Sequence, residues 1–346
     1  MIMKKNKFVI DGVEYKDCEY LTRGGCAHLY RSVDSVSGLP VVIKDYFENL
    51  DPRFKLRLAA CLERAVGLEV SGVDIVTPIR CEIREGVLKH SVMKYVYGED
   101  LGDFDFSYSV NLMGMQDDVG FMRNFFGRNF FKFLESLMSN YFIYRDVSDF
   151  GYSIDLESIP EGCDSLRKFF VRNIFGVLEF LMSQGLVHRD VKPSNVMFDY
   201  IDNRFLLLDC DFITEVDAST DGFVFGTPPF MAPEHLCGNL HITNDVFGLA
   251  STLADILGLF DDVGLAHFGG GYHRRCDGLF SEDRDEVENV KAGLRKMIGF
   301  PESQHREVAG LVEFMLAGLN INPNARPKTM EEVDQLLDFV PNLSMV

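Results

Sequence analysis

His188-Arg189-Asp190-Val191-Lys192-Pro193-Ser194-Asn195 brings three unlike polar groups into one short stretch. A carboxylate at Asp190 can orient an attacking hydroxyl and take its proton, and the Lys192 ammonium two residues later can steady charge on a moving phosphoryl group. Asn195 adds a neutral amide oxygen of the kind that ligates Mg²⁺. The competing reading of the stretch taken alone is a charged surface turn before a strand. Its reading therefore depends on what stands at a distance in the same chain.

The chain has 346 residues, 47% of them apolar, enough for a sizeable core in two lobes without a further folded module. No run of eighteen apolar residues occurs, and Met1 to Lys7 is followed by only three apolar residues before Asp11-Gly12. The expectation is no membrane span, no signal peptide and a cytosolic location, either in the producing cell or in one it is delivered to. Eight cysteines are scattered singly without Cys-x-x-Cys spacing and read as reduced thiols. With 34 basic against 53 acidic residues, nothing offsets phosphate repulsion, so nucleic acid is not an expected partner.

The opening octapeptide matches His-Arg-Asp-x-x-x-x-Asn at every fixed position and resembles the catalytic loop of the eukaryotic-type protein kinases. A lysine two places after the aspartate is the serine/threonine-specific form within that family. Upstream, two strands around Asp11-Gly12 lead into Leu21-Thr22-Arg23-Gly24-Gly25-Cys26-Ala27, which resembles the family's glycine-rich phosphate loop. Thr22 and Ala27 stand there in place of the first and third glycines. Val41-Val42-Ile43-Lys44 resembles the strand whose lysine holds the α- and β-phosphates of ATP.

Apolar residues at Phe54, Leu58, Cys61, Leu62 and Ala65 predict a helix from Phe54 to Leu68. By the resemblance that helix carries the carboxylate partner of Lys44, either Glu63, nineteen residues on, or Glu69 nearer the helix end. Glu63 is preferred. Ser91 to Leu101 resembles the last small-lobe strand and the hinge, with Met93 behind the adenine, the backbone of Lys94, Tyr95 and Val96 bonding it, and Asp100 near the ribose.

Past the catalytic loop, Phe205 to Leu208 forms an apolar strand ending at Asp209-Cys210-Asp211-Phe212, where the family has Asp-Phe-Gly. Asp209, fourteen residues past Asn195, is the preferred Mg²⁺ ligand, with Asp211 the alternative. Gly226-Thr227-Pro228-Pro229-Phe230-Met231-Ala232-Pro233-Glu234 resembles the close of the activation loop and implies a peptide platform, with Thr227 near Asp190. Arg326, in Asn322-Pro323-Asn324-Ala325-Arg326-Pro327, is then expected to pair with Glu234. Arg189 could hold a phosphate on Ser219 or Thr220, or be satisfied by an acidic residue of that loop.

The resemblance implies an α+β, protein-kinase-like bilobal fold, with a small β-rich lobe over 1–97 and a larger helical lobe over 98–346. An insertion at about 102–160 is rich in aromatics, and the helical spacing of Phe121 to Met138 predicts an amphipathic helix packed on the large lobe, with a partner-binding or regulatory surface as the alternative. The implied activity is ATP- and Mg²⁺-dependent phosphorylation of serine or threonine hydroxyls on proteins. A pseudokinase, acting as a nucleotide-binding scaffold, and a small-molecule kinase of related fold are the competing readings.

Overall fold

The computed structural model describes residues 7–66, 68, 73–84, 86–101, 166–202, 204–218, 224–256 and 305–338. The aromatic insertion, its helix, Glu69, Ser219 and Thr220 lie outside these residues.

The first half is an antiparallel six-stranded sheet in the order β1-β2-β3-β4-β6-β5. It opens with a hairpin between β1 (Lys7–Ile10) and β2 (Val13–Arg23). Asp11 and Gly12 both take positive φ at its turn, 47° and 77°, which matches the right-handed twist of the flanking strands. Next come β3 (Ala27–Asp34) and β4 (Pro40–Tyr46), then β5 (Pro78–Arg84) and β6 (Val87–Lys94). β4 sits inside the sheet, so Lys44 is flanked by Leu29 on β3 and Ser91 on β6.

One helix, α1 (Pro52–Val66), lies against this sheet. It starts two residues earlier than apolar spacing predicts, because Asp51 caps it through a bond from the Arg53 amide at 2.7 Å and Pro52 suits its first turn. Its apolar face, Leu58, Ala59 and Leu62, meets Ala27, Tyr46 and Leu88 of the sheet. Burying such side chains contributes roughly 1.5–3 kcal/mol each.

β7 (Gly98–Asp100) leaves the sheet and pairs with β9 (Val196–Asp199) of the second half. A Cβ on Gly98 would stand 1.8 Å from the Phe198 carbonyl oxygen, so only glycine permits this close crossing. β9 also pairs with β10 (Arg204–Leu207), and β8 (Leu186–Val187) with β11 (Thr214–Glu215).

The remaining elements are helical: α2 (Leu166–Ser183), the short α3 (Pro233–Leu236), α4 (Asn244–Ile256), α5 (His305–Gly318) and α6 (Met330–Leu337). α2 ends at Ser183, and Gly185 just beyond it takes φ 69°, the left-handed conformation that glycine allows at a helix C-terminus. α4 is buried continuously from Asn244 to Ala254, as expected of a helix apolar nearly all round. Residues of α2, α4, α5 and α6 share one core cluster with Phe198 and Phe205. Among the described residues, no helix is long and apolar enough to cross a membrane.

Candidate active site

The stretch from His188 to Asn195 follows β8 and is anchored from below by α4. Asp245, in the first turn of that helix, accepts the amides of His188 at 2.5 Å and Arg189 at 2.8 Å. These bonds hold Arg189 at φ 73°, a left-handed conformation that a non-glycine residue adopts at a cost of about 1–3 kcal/mol. Burial pushes the Asp245 carboxyl up, and His188 and the two amides oppose it. In the sequence Asp245 begins a run, Asp245 to Leu259, that is apolar nearly all round at helical spacing. A carboxylate heading a helix with no solvent face needs a buried partner, and that was the available signal.

Above this anchor four polar side chains meet. Asp190, 5% exposed, accepts the Thr227 hydroxyl at 2.7 Å on one oxygen and the Asn195 amide at 2.8 Å on the other. Lys192 Nζ lies 2.9 Å from the second oxygen and donates to Thr227 Oγ1 at 2.7 Å. The spacing of Asp190, Lys192 and Asn195 in sequence thus becomes one connected network, closed by a residue from 37 positions away. Asn195 spends its Nδ2 on Asp190, which turns its amide oxygen toward the opposite side.

Lys44 is 6% exposed and faces two aspartates, not a glutamate. Its Nζ is 2.6 Å from Asp209 Oδ1 and 2.9 Å from Asp211 Oδ1. The expected pair with Glu63 is not formed. Glu63 stands exposed on α1, because it follows Leu62 and so falls about 100° around the helix from the buried stripe. α1 is tied to the second half by other residues: Arg64 donates to Thr214 at 3.3 Å and pairs with Glu215, and Cys61 accepts from Arg189 at 3.4 Å.

The two aspartates differ in setting. The Asp209 side chain is 34% exposed and that of Asp211 is 2% exposed, so Asp209 is the one with an open side. Asp209 sits at φ 63°, ψ 65°, a left-handed turn that sends Cys210 inward. Cys210 is buried, and its thiol donates to the Val76 carbonyl at 3.2 Å. Asp211 is turned into the sheet half, where it accepts the Tyr46 hydroxyl at 3.0 Å.

One ammonium between two carboxylates splits their acidities. Burial pushes Asp211 up to about 7 from an ordinary 3.8, with Asp209 adding to the effect and Lys44 opposing it. Burial acts the same way on Asp209, but the Lys44 ammonium outweighs it and holds that carboxyl at about 2. Because the folded state raises the Asp211 pKa, its proton favours folding below 3.8, and that contribution is lost as pH rises through about 7. We expect Asp211→Asn to flatten the melting temperature between pH 5 and pH 8 relative to wild type, with the variant gaining at the alkaline end. Parallel melting profiles would contradict this assignment of the proton.

The residues assigned to nucleotide line the sheet half. Thr22 ends up in β2 opposite Leu29, and Ala27 is the buried first residue of β3. Gly24 and Gly25 form the turn between them, closed by the Gly24 amide on Ala27 O at 2.9 Å. Met93 packs on Val76, Val96 and Leu206 where the halves meet, with Lys94 exposed at the end of β6. The Tyr95 amide is bonded to Pro40 O at 3.1 Å, which leaves its carbonyl as the group it can offer, and Val96 carries the next amide along. Asp100 lies at the end of β7, beside Met197 of β9.

The Gly226–Glu234 segment lies across the loop. A Cβ on Gly226 would come within 2.5 Å of the Arg189 carbonyl oxygen, so glycine lets the segment rest on the catalytic stretch. Arg189 is 6% exposed, donates to Phe212 O at 2.5 Å and lies over the Phe225 ring at 4.7 Å. Burial lowers its pKa. Its guanidinium is thus bound by a carbonyl, a thiol and an aromatic face, a setting unlike the phosphate or acidic partner that the sequence suggested. Glu234 and Arg326 pair through both ends, at 2.5 and 2.9 Å, as expected.

A buried lysine facing a partly open aspartate, together with an aspartate–lysine–threonine network on the loop after β8, is a set of groups that a phosphotransferase can use. In sequence, residues 152–335, just over half the chain, match the protein kinase domain. The chain belongs to the protein kinase family, which implies the bilobal fold and phosphoryl transfer as its class of chemistry. No curated protein matches it.

Proposed function

We propose that the chain is an ATP- and Mg²⁺-dependent serine/threonine protein kinase. The observation that carries this reading is the contact of Asp190, Lys192 and Thr227, since it sets a carboxylate where an acceptor hydroxyl can donate to it and a cation beside the transferred group.

The donor set suits the cofactor. Asp209 and Asn195 offer hard oxygens, and among the described residues no three His, Cys, Asp or Glu side chains gather to hold a metal by themselves. That fits Mg²⁺, which takes one or two protein oxygens and completes its shell with phosphates and water. When bound, the cation neutralises charge on the phosphates. Lys44 binds the α- and β-phosphates, the turn offers them the Gly25 backbone amide, since that of Gly24 is bonded to Ala27 O, and Asp190 orients the hydroxyl and takes its proton. Lys192 balances charge on the transferred group, and Val96 presents its backbone to adenine. Lysine in the second place after Asp190, bonded to Thr227, supports serine or threonine as acceptor.

Incubating the chain with labelled ATP, Mg²⁺ and a protein lysate, beside Lys44→Met, tests transferase against scaffold. Label entering protein serine and threonine with wild type but not with Lys44→Met is the expected result. Equal labelling by both, or none by wild type, would reject the enzymatic reading.

A further inference from the structure

Phosphates are gripped well only by a lysine that is itself held still, and a buried ammonium is held by a buried carboxylate. We infer that Asp211 is the positioning residue for Lys44, doing from the loop after β10 what the family resemblance assigned to Glu63 on α1. This inference rests on the kinase reading and adds a residue to its machinery.

The support is geometric. Lys44 and Tyr46 are two apart on β4 and so face the same way, and Ser91 is the register partner of Lys44 on β6. Ser91 bonds the Tyr46 hydroxyl at 3.0 Å, that hydroxyl donates to Asp211 Oδ2 at 3.0 Å, and Asp211 Oδ1 stands 2.9 Å from Lys44 Nζ. The chain of contacts therefore returns to the strand pair it began on. Ser91, Tyr46 and Asp211 are all nearly or fully buried. Asp209, the other carboxylate on Lys44, has the open side and is the one a cation can claim, whereas Asp211 is sealed in with the lysine.

A second buried carboxylate beside Asp209 opposes stability, and the family pattern has a side-chain-free glycine in that place. A residue kept there against stability, with one oxygen on a hydroxyl and the other on the lysine, fits a positioning role. α1 is then released from supplying the carboxylate and is held by Arg64, Cys61 and its apolar face.

The test compares Asp211→Asn, Tyr46→Phe and Glu63→Gln. ATP affinity is measured by calorimetry with and without Mg²⁺, alongside kcat, KM for ATP and KM for a protein substrate, with melting curves to show that each variant folds. Asp211→Asn can still accept from Tyr46, and we expect it to weaken ATP about tenfold, the loss of one charge-assisted contact, while KM for the protein substrate stays put. Tyr46→Phe should move ATP affinity the same way by less, and Glu63→Gln least of the three. If Asp211→Asn does not fold, Tyr46→Phe against Glu63→Gln decides the order.

The inference is overturned if Glu63→Gln weakens ATP as much as or more than Asp211→Asn, or if Asp211→Asn binds ATP like wild type. A wild-type chain that binds ATP but transfers nothing rejects the kinase reading alone, because the affinity order still decides the role of Asp211. A wild-type chain that binds no ATP rejects both.

Discussion

Asp190→Asn should lower kcat about 10²–10⁴-fold and leave nucleotide affinity near wild type, the loss expected when a positioned proton acceptor becomes an amide. The geometry explains why the effect divides this way. Asp190 receives Thr227 on one oxygen and Asn195 and Lys192 on the other, so its carboxylate is oriented by three donors from two segments. The residues proposed to hold phosphates, Lys44 and the Gly24–Gly25 turn, lie in the sheet half and do not touch it. An asparagine keeps the shape but offers one acceptor oxygen and sets an amide against either Thr227 or the Lys192–Asn195 pair. Single-turnover transfer and calorimetric ADP binding on the same preparation check the prediction. Undiminished transfer would move the proton acceptor elsewhere.

Arg326→Ala should destabilise the fold by about 3–5 kcal/mol, the range for removing one partner of a buried ion pair. For a chain of this size that corresponds to a fall in melting temperature on the order of 10 °C. The Arg326 side chain has no exposed surface, and besides both Glu234 oxygens it serves the carbonyls of Asn320 at 2.9 Å and Thr243 at 3.3 Å. It also lies 5.1 Å from the centre of the Phe247 ring. Truncation leaves Glu234, which also accepts from Asn244 at 2.7 Å, without its cation, and opens a void beneath the segment that carries Thr227. Replacing Arg326 and Glu234 together with apolar residues should recover part of the loss, because the uncompensated charge goes with its partner. Differential scanning calorimetry decides, and a shift under about 2 °C would mean that this pair is not a structural tie.

Much of this was legible from residues alone wherever the governing interactions are local. The Asp11-Gly12 hairpin follows from two positions that accept positive φ, and the stop of α2 from Gly185. The unbroken burial of α4 follows from its apolar circumference. The pairing of Arg326 with Glu234 was reached through the family pattern, a recurring long-range tie between two recognisable motifs. Errors came where a side chain's direction depends on how an element is rotated against its neighbours. Glu63 has the right residue type on the right helix, yet the phase of α1 puts it in solvent.

By itself the sequence determined that the His188–Asn195 stretch, a lysine closing an apolar strand and a glycine–threonine segment share one chain in an order that a kinase fold can use. Each is a short motif whose geometry its own few residues impose. Only the tertiary structure decided which carboxylates meet Lys44, 165 residues away from Asp209, and which aromatic ring covers Arg189. Those contacts are set by helix phase, by a left-handed turn at Asp209 and by the burial of Asp211 against Tyr46, and none of these follows from spacing along the chain.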